Sequence, residues 1–274
     1  MKNLLIYCLL ASVIITTGII LVIDYESKLF TIKPPVTNIE PLAIDIELLD
    51  TSNQIYTYYD EESNIQGLFG IDVSEHQGDI DWERVKNAGV EFAIIRVGYR
   101  GYASGKISLD NKFHYNMTEA IKNGINVGVY FFSQAKNTKE ALEEANFVLK
   151  NIRKYDLSYP IVFDMEDIYD EDHRIMDLSL DERSHLAQVF AGRIIYKGYV
   201  PMIYLNLNWT YNHYDLNRIS NYDIWFAQYN DYPEYPYDFQ IWQYSDNGSI
   251  DGINEPVDLN IYFRKNKESD KYEK

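Results

Sequence analysis

From residue 68 onward, short apolar runs alternate with amphipathic stretches, the pattern of parallel strands joined by crossover helices. The spacing predicts strands over 68–73, 92–97, 126–132, 161–165 and 200–205, and helices over 81–88, 112–123, 138–154 and 180–197. Gly89, Gly124 and Gly198 stand where three of these helices stop. Thr138 is the expected cap of the third, in which Ala141, Ala145, Phe147, Val148 and Ile152 supply apolar positions at helical spacing. Then the rhythm changes. Runs over 224–228, 239–244 and 256–261 read as three more strands, with gaps rich in Tyr, Pro, Asp and Asn that leave little room for helices. Eight strands with helices after the first five predict an α/β fold, a modified TIM-type barrel rather than an open doubly wound sheet. No glycine-rich phosphate loop follows any strand, so no nucleotide cofactor is expected.

Before the alternating region lies a different chain. Leu4 opens a nearly continuous uncharged apolar stretch that ends at Ile23, preceded by Lys2 and followed by Asp24 and Glu26. That is about the length a helix needs to cross a bilayer. We expect 1–23 to be an uncleaved signal anchor, with a cleaved signal and a secreted product as the alternative. Lys2 orients it with the N-terminus in the cytoplasm and the rest exported, giving a single-pass protein of the cell membrane. Over 24–66 the periodicity fades and Pro34, Pro35 and Pro41 appear, as in an extracytoplasmic tether. The barrel is then expected over 67–264 and a charged tail over 265–274. The single cysteine, Cys8, lies in the apolar stretch, which rules out an intrachain disulfide and a cysteine zinc site.

A net charge of -17 argues against nucleic acid as a partner, because phosphate binding needs clustered basic surface. It leaves neutral polymers open, and 25 Tyr, 12 Phe and 4 Trp suit both core packing and stacking on sugar rings. The most informative stretch is Pro160-Ile161-Val162-Phe163-Asp164-Met165-Glu166, an apolar run that ends in two acids two residues apart. Alternate side chains of a strand share a face, so Asp164 and Glu166 project together with alpha carbons about 6.5 to 7 Å apart. Neighbouring carboxylates disfavour double ionisation, which suits an acid/base pair. In a parallel barrel the active site forms at the carboxyl ends of the strands. Reading those ends adds Asp72 and Asp258, with Tyr130, Tyr204, Trp225, Gln228, Trp242 and Tyr244 at comparable late positions as candidate substrate contacts. Acids among aromatics fit an uncharged polysaccharide whose glycosidic oxygen is protonated by a carboxyl group. Arg96 is expected to pair with one of the rim acids, and His76 to serve a loop or touch substrate.

Gly70-Ile71-Asp72-Val73-Ser74-Glu75-His76-Gln77-Gly78, then Ile80-Asp81-Trp82 and Phe92-Ala93-Ile94-Ile95-Arg96-Val97-Gly98-Tyr99, resembles the opening of glycoside hydrolase family 25, the Chalaropsis-type lysozymes. Asp164-Met165-Glu166, Trp242-Gln243-Tyr244 and Val257-Asp258-Leu259-Asn260 are similar to later motifs of that family. The resemblance implies a (β/α)5(β)3 barrel that cleaves the β-1,4 bond between N-acetylmuramic acid and N-acetylglucosamine in peptidoglycan. It further implies Glu166 as general acid/base, Asp164 as the group that stabilises positive charge or orients the acetamido group, and Asp72 and Asp258 as groups that shape and polarise the site. No cofactor or metal is implied, and the partner is the glycan strand met by a monomeric barrel. Phe131-Phe132-Ser133 departs from the His-containing version of many members. Three other readings compete: a chitinase-like glycosidase, a glycan-binding barrel without turnover, and a metal-dependent hydrolase that uses the four acids as oxygen ligands.

Overall fold

The computed structural model of the chain describes residues 43–167 and 173–265. The expected anchor, the first part of the tether and the tail lie outside the described residues, within which no helix is long and apolar enough to cross a membrane.

Two short strands come first, β1 (Leu49–Asp50) and β2 (Thr57–Asp60), paired antiparallel. They are followed by β3 (Ile65–Val73), helix α1 (Trp82–Asn87), β4 (Phe92–Arg100), the short β5 (Ile107–Leu109), α2 (Phe113–Lys122), β6 (Asn126–Ser133), α3 (Thr138–Ile152), β7 (Ile161–Met165), α4 (Leu180–Tyr196) and β8 (Pro201–Asn206). The fifth connection carries two short helices that the sequence pattern did not locate, α5 (Leu207–Asn212) and α6 (Leu216–Ile219). The chain then finishes on β9 (Asp223–Ala227), β10 (Ile241–Gly248) and β11 (Val257–Lys265).

Eight of these strands close into a barrel in the order β3, β4, β6, β7, β8, β9, β10, β11, with β11 returning to β3. Neighbours are parallel from β3 round to β10, and β11 runs antiparallel to both β10 and β3. An antiparallel last strand needs only a hairpin, so β10 passes to β11 without a helix, whereas the parallel β9 and β10 are joined by the helix-free stretch 228–240. The helices begin where the sequence supplies caps. Ser179 and Glu182 form a reciprocal capping box at α4, and Gly198, at φ 82°, follows its end. At α3 the expected cap is corrected: Asn137, not Thr138, accepts the Glu140 amide at 3.1 Å.

Side chains alternate across the sheet and separate two cores. Outward positions such as Ile71, Ile95, Phe131 and Phe163 pack under the helices with Val85, Met117, Val148 and Phe190. Inward positions Leu68, Phe92, Ile94, Val162, Met202, Ile241 and Tyr262 fill the barrel itself. Phe92 stacks on Tyr159 with centroids 4.8 Å apart, and Gly70 gives it passage, since a Cβ there would collide with the Phe92 ring.

The tether expected over 24–66 is corrected in its second half. Residues 43–60 fold onto the barrel as a strap, because its apolar side chains find partners there. Ile44 and Tyr58 are buried, and Tyr56 stacks on Tyr244 with centroids 4.0 Å apart and planes 11° apart. β2 then turns into β3, pairing Tyr59 with Gln66 and Asp60 with Ile65.

Candidate active site

The inward positions that are apolar in the middle of the barrel become polar at the carboxyl ends of its parallel strands. There Asp72, Arg96, Tyr130, Phe132, Asp164, Glu166, Tyr204, Trp225, Tyr229, Gln243 and Asp258 line a cavity of about 230 Å³. All four acids singled out from the sequence meet in it. Asp72 and Asp258 face each other across the antiparallel β3–β11 pair, and Asp164 and Glu166 share the inward face at the end of β7.

Asp72 is the best-solvated by protein groups. Its Oδ2 accepts from Gln243 Nε2 and from Asn260 Nδ2, both at 2.8 Å. Both amides are held with their NH2 groups toward it by what lies behind them. Trp225 Nε1, which can only donate, bonds Asn260 Oδ1 at 2.8 Å, so the other end of that amide must point at Asp72. Gln243 Oε1 accepts from the hydroxyls of Tyr204 (3.0 Å) and Tyr229 (3.1 Å).

Four carboxyl groups withdrawn from water cannot all carry charge, and their proton affinities separate accordingly. Burial pushes Asp72 up to about 6, against the pull of its Asn260, Gln243 and Asp258 hydrogen bonds. Burial and the charge of Asp72 push Asp258 up to about 9, so Asp258 holds the proton that it shares with Asp72. Burial, with Glu166 and Asp72 close by, raises Asp164 well above the usual carboxylate range. Its Oδ1 is buried and hydrogen-bonds to no group among the described residues. Glu166, partly buried, is pushed up to about 7 by burial and by the charges of Asp72 and Asp167. The resting site therefore holds one well-supported anion, two protonated acids and one carboxyl poised near neutrality.

The backbone beside Glu166 is pinned. Gln134 Nε2 donates to the Glu166 carbonyl at 2.8 Å. The outward-pointing Asp167 meets His173 (3.0 Å), His213 (3.4 Å) and Arg183 (3.7 Å). Arg96 lines the cavity but does not pair with a rim acid as expected; it pairs with Asp110 at 2.8 Å and Glu75 at 3.2 Å, and its charge pulls Asp164 down against the burial that raises it. His76 is exposed on a short 3-10 turn and lines no part of the cavity.

Of the six residues expected to contact substrate, Tyr130, Tyr204 and Trp225 line the cavity and Gln228, Trp242 and Tyr244 do not. The reason is the period of two along a strand. On β10 the inward residues are Ile241 and Gln243, so Trp242 and Tyr244 face outward, where Trp242 Nε1 donates to the Gln228 carbonyl at 2.9 Å and Tyr244 packs under the strap. After β9 it is Tyr229 that turns inward, while the Gln228 side chain caps the following loop through the Glu234 amide at 2.7 Å. The residues that sequence reasoning passed over, Gln243 and Tyr229, are the immediate neighbours of those it chose, and a consistent parity count along β9 and β10 finds them.

Comparison with known proteins agrees with this architecture. The model of a family described as glycosyl hydrolases family 25 matches residues 71–253. The Escherichia coli protein YegX is 29% identical over 207 residues, covering 71% of this chain and 69% of YegX. The "Autolytic lysozyme" of Clostridium acetobutylicum is 25% identical over 195 residues, 70% of this chain and 55% of that enzyme. Among solved structures, the modular autolysin LytC from Streptococcus pneumoniae superposes with a TM-score of 0.65 at 23% identity, covering 82% of this chain. This chain spans 52% of LytC, about half of its length. With the family's model matched across the barrel and its acids gathered in one cavity, the chain belongs to glycosyl hydrolases family 25.

Proposed function

We propose that the protein hydrolyses the β-1,4 bond between N-acetylmuramic acid and N-acetylglucosamine in peptidoglycan, with carboxyl groups as its acid/base machinery. The observation that carries this is the separation of proton affinities within one cavity. Glu166, held at about 7, is a proton donor to the glycosidic oxygen, and Asp72 is the fixed anion beside the positive charge that develops on the sugar. The names of two relatives point the same way: one is called an autolytic lysozyme, and the LytC structure is described in complex with a synthetic peptidoglycan ligand.

Asp164 supports a particular course for the reaction. Its buried Oδ1, bonded to no described group, suits the N–H of the substrate's 2-acetamido group. Held in that way, the acetamido oxygen attacks the anomeric carbon as the bond to the leaving oxygen breaks, and Glu166 delivers its proton to that oxygen. Water then opens the cyclic intermediate, with its proton taken by the Glu166 carboxylate, which restores the acid. Digesting purified peptidoglycan and reading the products by mass spectrometry tests the reading. Muramic acid at every new reducing end, absent in Glu166→Gln, is the expected result; glucosamine ends would assign a chitinase-like specificity instead.

The apolar stretch between Leu4 and Ile23 supports an anchor that exports the barrel and confines it to the envelope of its own cell. Recovery of the full-length chain in the membrane fraction, with the barrel open to protease from outside, is the outcome that agrees.

A further inference from the structure

A second cavity, of about 290 Å³, adjoins the catalytic one, and Tyr229 is part of both walls. Its other walls come from three separate places in the chain: Asn53 and Tyr56 of the strap, Asn230 after β9, and Tyr244 and Asn247 of β10. The strap side lies before residue 71, where the family's model begins, so this cavity is not built from the matched family domain alone.

The strap wall is rigid. The Gln54 side chain pairs with the backbone of Ser249 in both directions, Nε2 donating to the carbonyl at 2.8 Å and Oε1 accepting from the amide at 3.3 Å. Tyr244 donates its hydroxyl to the Gln54 carbonyl at 2.9 Å and accepts the Tyr56 amide at 3.4 Å. The loop before it is set by Asp50, whose carboxylate accepts the Ser52 amide at 2.9 Å. These bonds fix the backbone and leave the Asn53, Asn230 and Asn247 side chains exposed at the cavity mouth, beside a Tyr229 ring that is half exposed. Neutral amides that donate and accept, next to an exposed aromatic face, match the hydroxyl and acetamido groups and apolar ring faces of a neutral sugar. No basic side chain lines the cavity, so it is not suited to an anion.

We infer that the strap and the β10–β11 hairpin form an accessory subsite that binds a further sugar of the same glycan strand, beyond those held at the acids. This rests on the glycan reading of the adjoining cavity, and the experiment separates the two. Glu166→Gln binds substrate without consuming it, so it is titrated with stem-free glycan strands of increasing length, from a disaccharide to an octasaccharide. The expected result is a gain in affinity of roughly tenfold once the strand reaches the strap, the yield of a few good contacts. That gain is lost when Asn53→Ala and Asn230→Ala are added, while affinity for the disaccharide and the melting temperature stay unchanged. Affinity that is independent of length, or a length gain that survives the two alanines, overturns the inference. A gain that appears only when stem peptides are left on the strands also overturns it, by assigning the cavity to peptide. Hydrolysis by the wild-type chain is scored separately. Absent turnover with the length gain intact refutes the proposed function and leaves the subsite standing.

Discussion

Two regions of one barrel interior are built from the same inward positions of the same strands, and they hold opposite chemistry. Along β3 the inward series runs Leu68, Gly70, Asp72; along β4, Phe92, Ile94, Arg96; along β7, Val162, Asp164, Glu166; along β10, Ile241, Gln243. β11, reversed, runs Asp258, Asn260, Tyr262 and so presents its acid at the same end. In the middle, stacked rings and aliphatic chains are buried against one another. One layer higher carboxyl groups are buried too, and it is burial, the largest influence on all four acids, that keeps protons on them. The apolar floor is thus a functional part of the site: it supplies the low-dielectric base without which Asp164 and Glu166 would titrate as ordinary acids.

The contrast is broken most sharply by substitutions at its two poles. Glu166→Gln keeps the shape and removes the titrating proton; we expect kcat to fall by about 10²–10⁴-fold, with thermal melting no lower than that of the wild type. Phe92→Ala on the floor should do the reverse at first order, costing ~3–5 kcal/mol of stability in a denaturant titration. Because Phe92 underlies Gly70 and Tyr159, the cavity it leaves would also admit water beneath the acids. The alkaline limb of the pH–rate profile should therefore move down from the value set by Glu166, about 7 in the intact site. In the wild type, activity is greatest between that limb and an acid limb near the Asp72 value of about 6, below which the site's anion is neutralised.

The floor was more legible in the sequence than the rim. Ile161 to Met165, Phe92 and Val162 are read as buried strand positions from apolar runs alone, and the acids announce themselves where those runs stop. What the pattern obscured was the outer surface of β10. An aromatic-polar-aromatic triplet, Trp242-Gln243-Tyr244, reads as two binding rings around a spacer, whereas the spacer faces the acids and the rings are core. Tyr244 is core only because the strap covers it, and the strap's own signal was diluted by the prolines and polar residues before it. Its Tyr56 and Tyr58 do alternate as on a strand, but two positions with Ile44 twelve residues before them make too short a pattern to read. Long-range partnership of that kind, like the donor–acceptor order behind Asp72, is created by the fold and has no local trace.

That donor–acceptor order gives the next prediction. Trp225→Phe keeps the ring but removes the N–H that fixes Asn260, so the amide is free to turn its oxygen toward Asp72. We expect kcat to fall roughly tenfold, about 1.4 kcal/mol, with KM little changed. A purely structural loss would leave the pH profile in place. Here the acid limb should shift upward, because Asp72 loses a donor that stabilises its charge.

The smallest effect is also the most direct test of what the site costs the fold. Asp164 has its proton affinity raised by burial and by like charges, so the native state holds this proton more tightly than the unfolded chain does. The sign follows from linkage: stability from such a group is fully present below the unfolded carboxyl value and is lost as pH rises toward and through the raised one. Asp164→Asn cannot ionise and escapes that loss. It should be more stable than the wild type at neutral pH by ~0.5–2 kcal/mol, the usual gain from relieving a functional site, while losing activity. The gain should shrink as pH falls toward about 3.9, where the unfolded acid also takes up its proton. Chemical denaturation of both proteins across that range measures it. A difference that does not vary with pH would mean that packing or hydrogen bonding, and not suppressed ionisation, sets the energy of the rim.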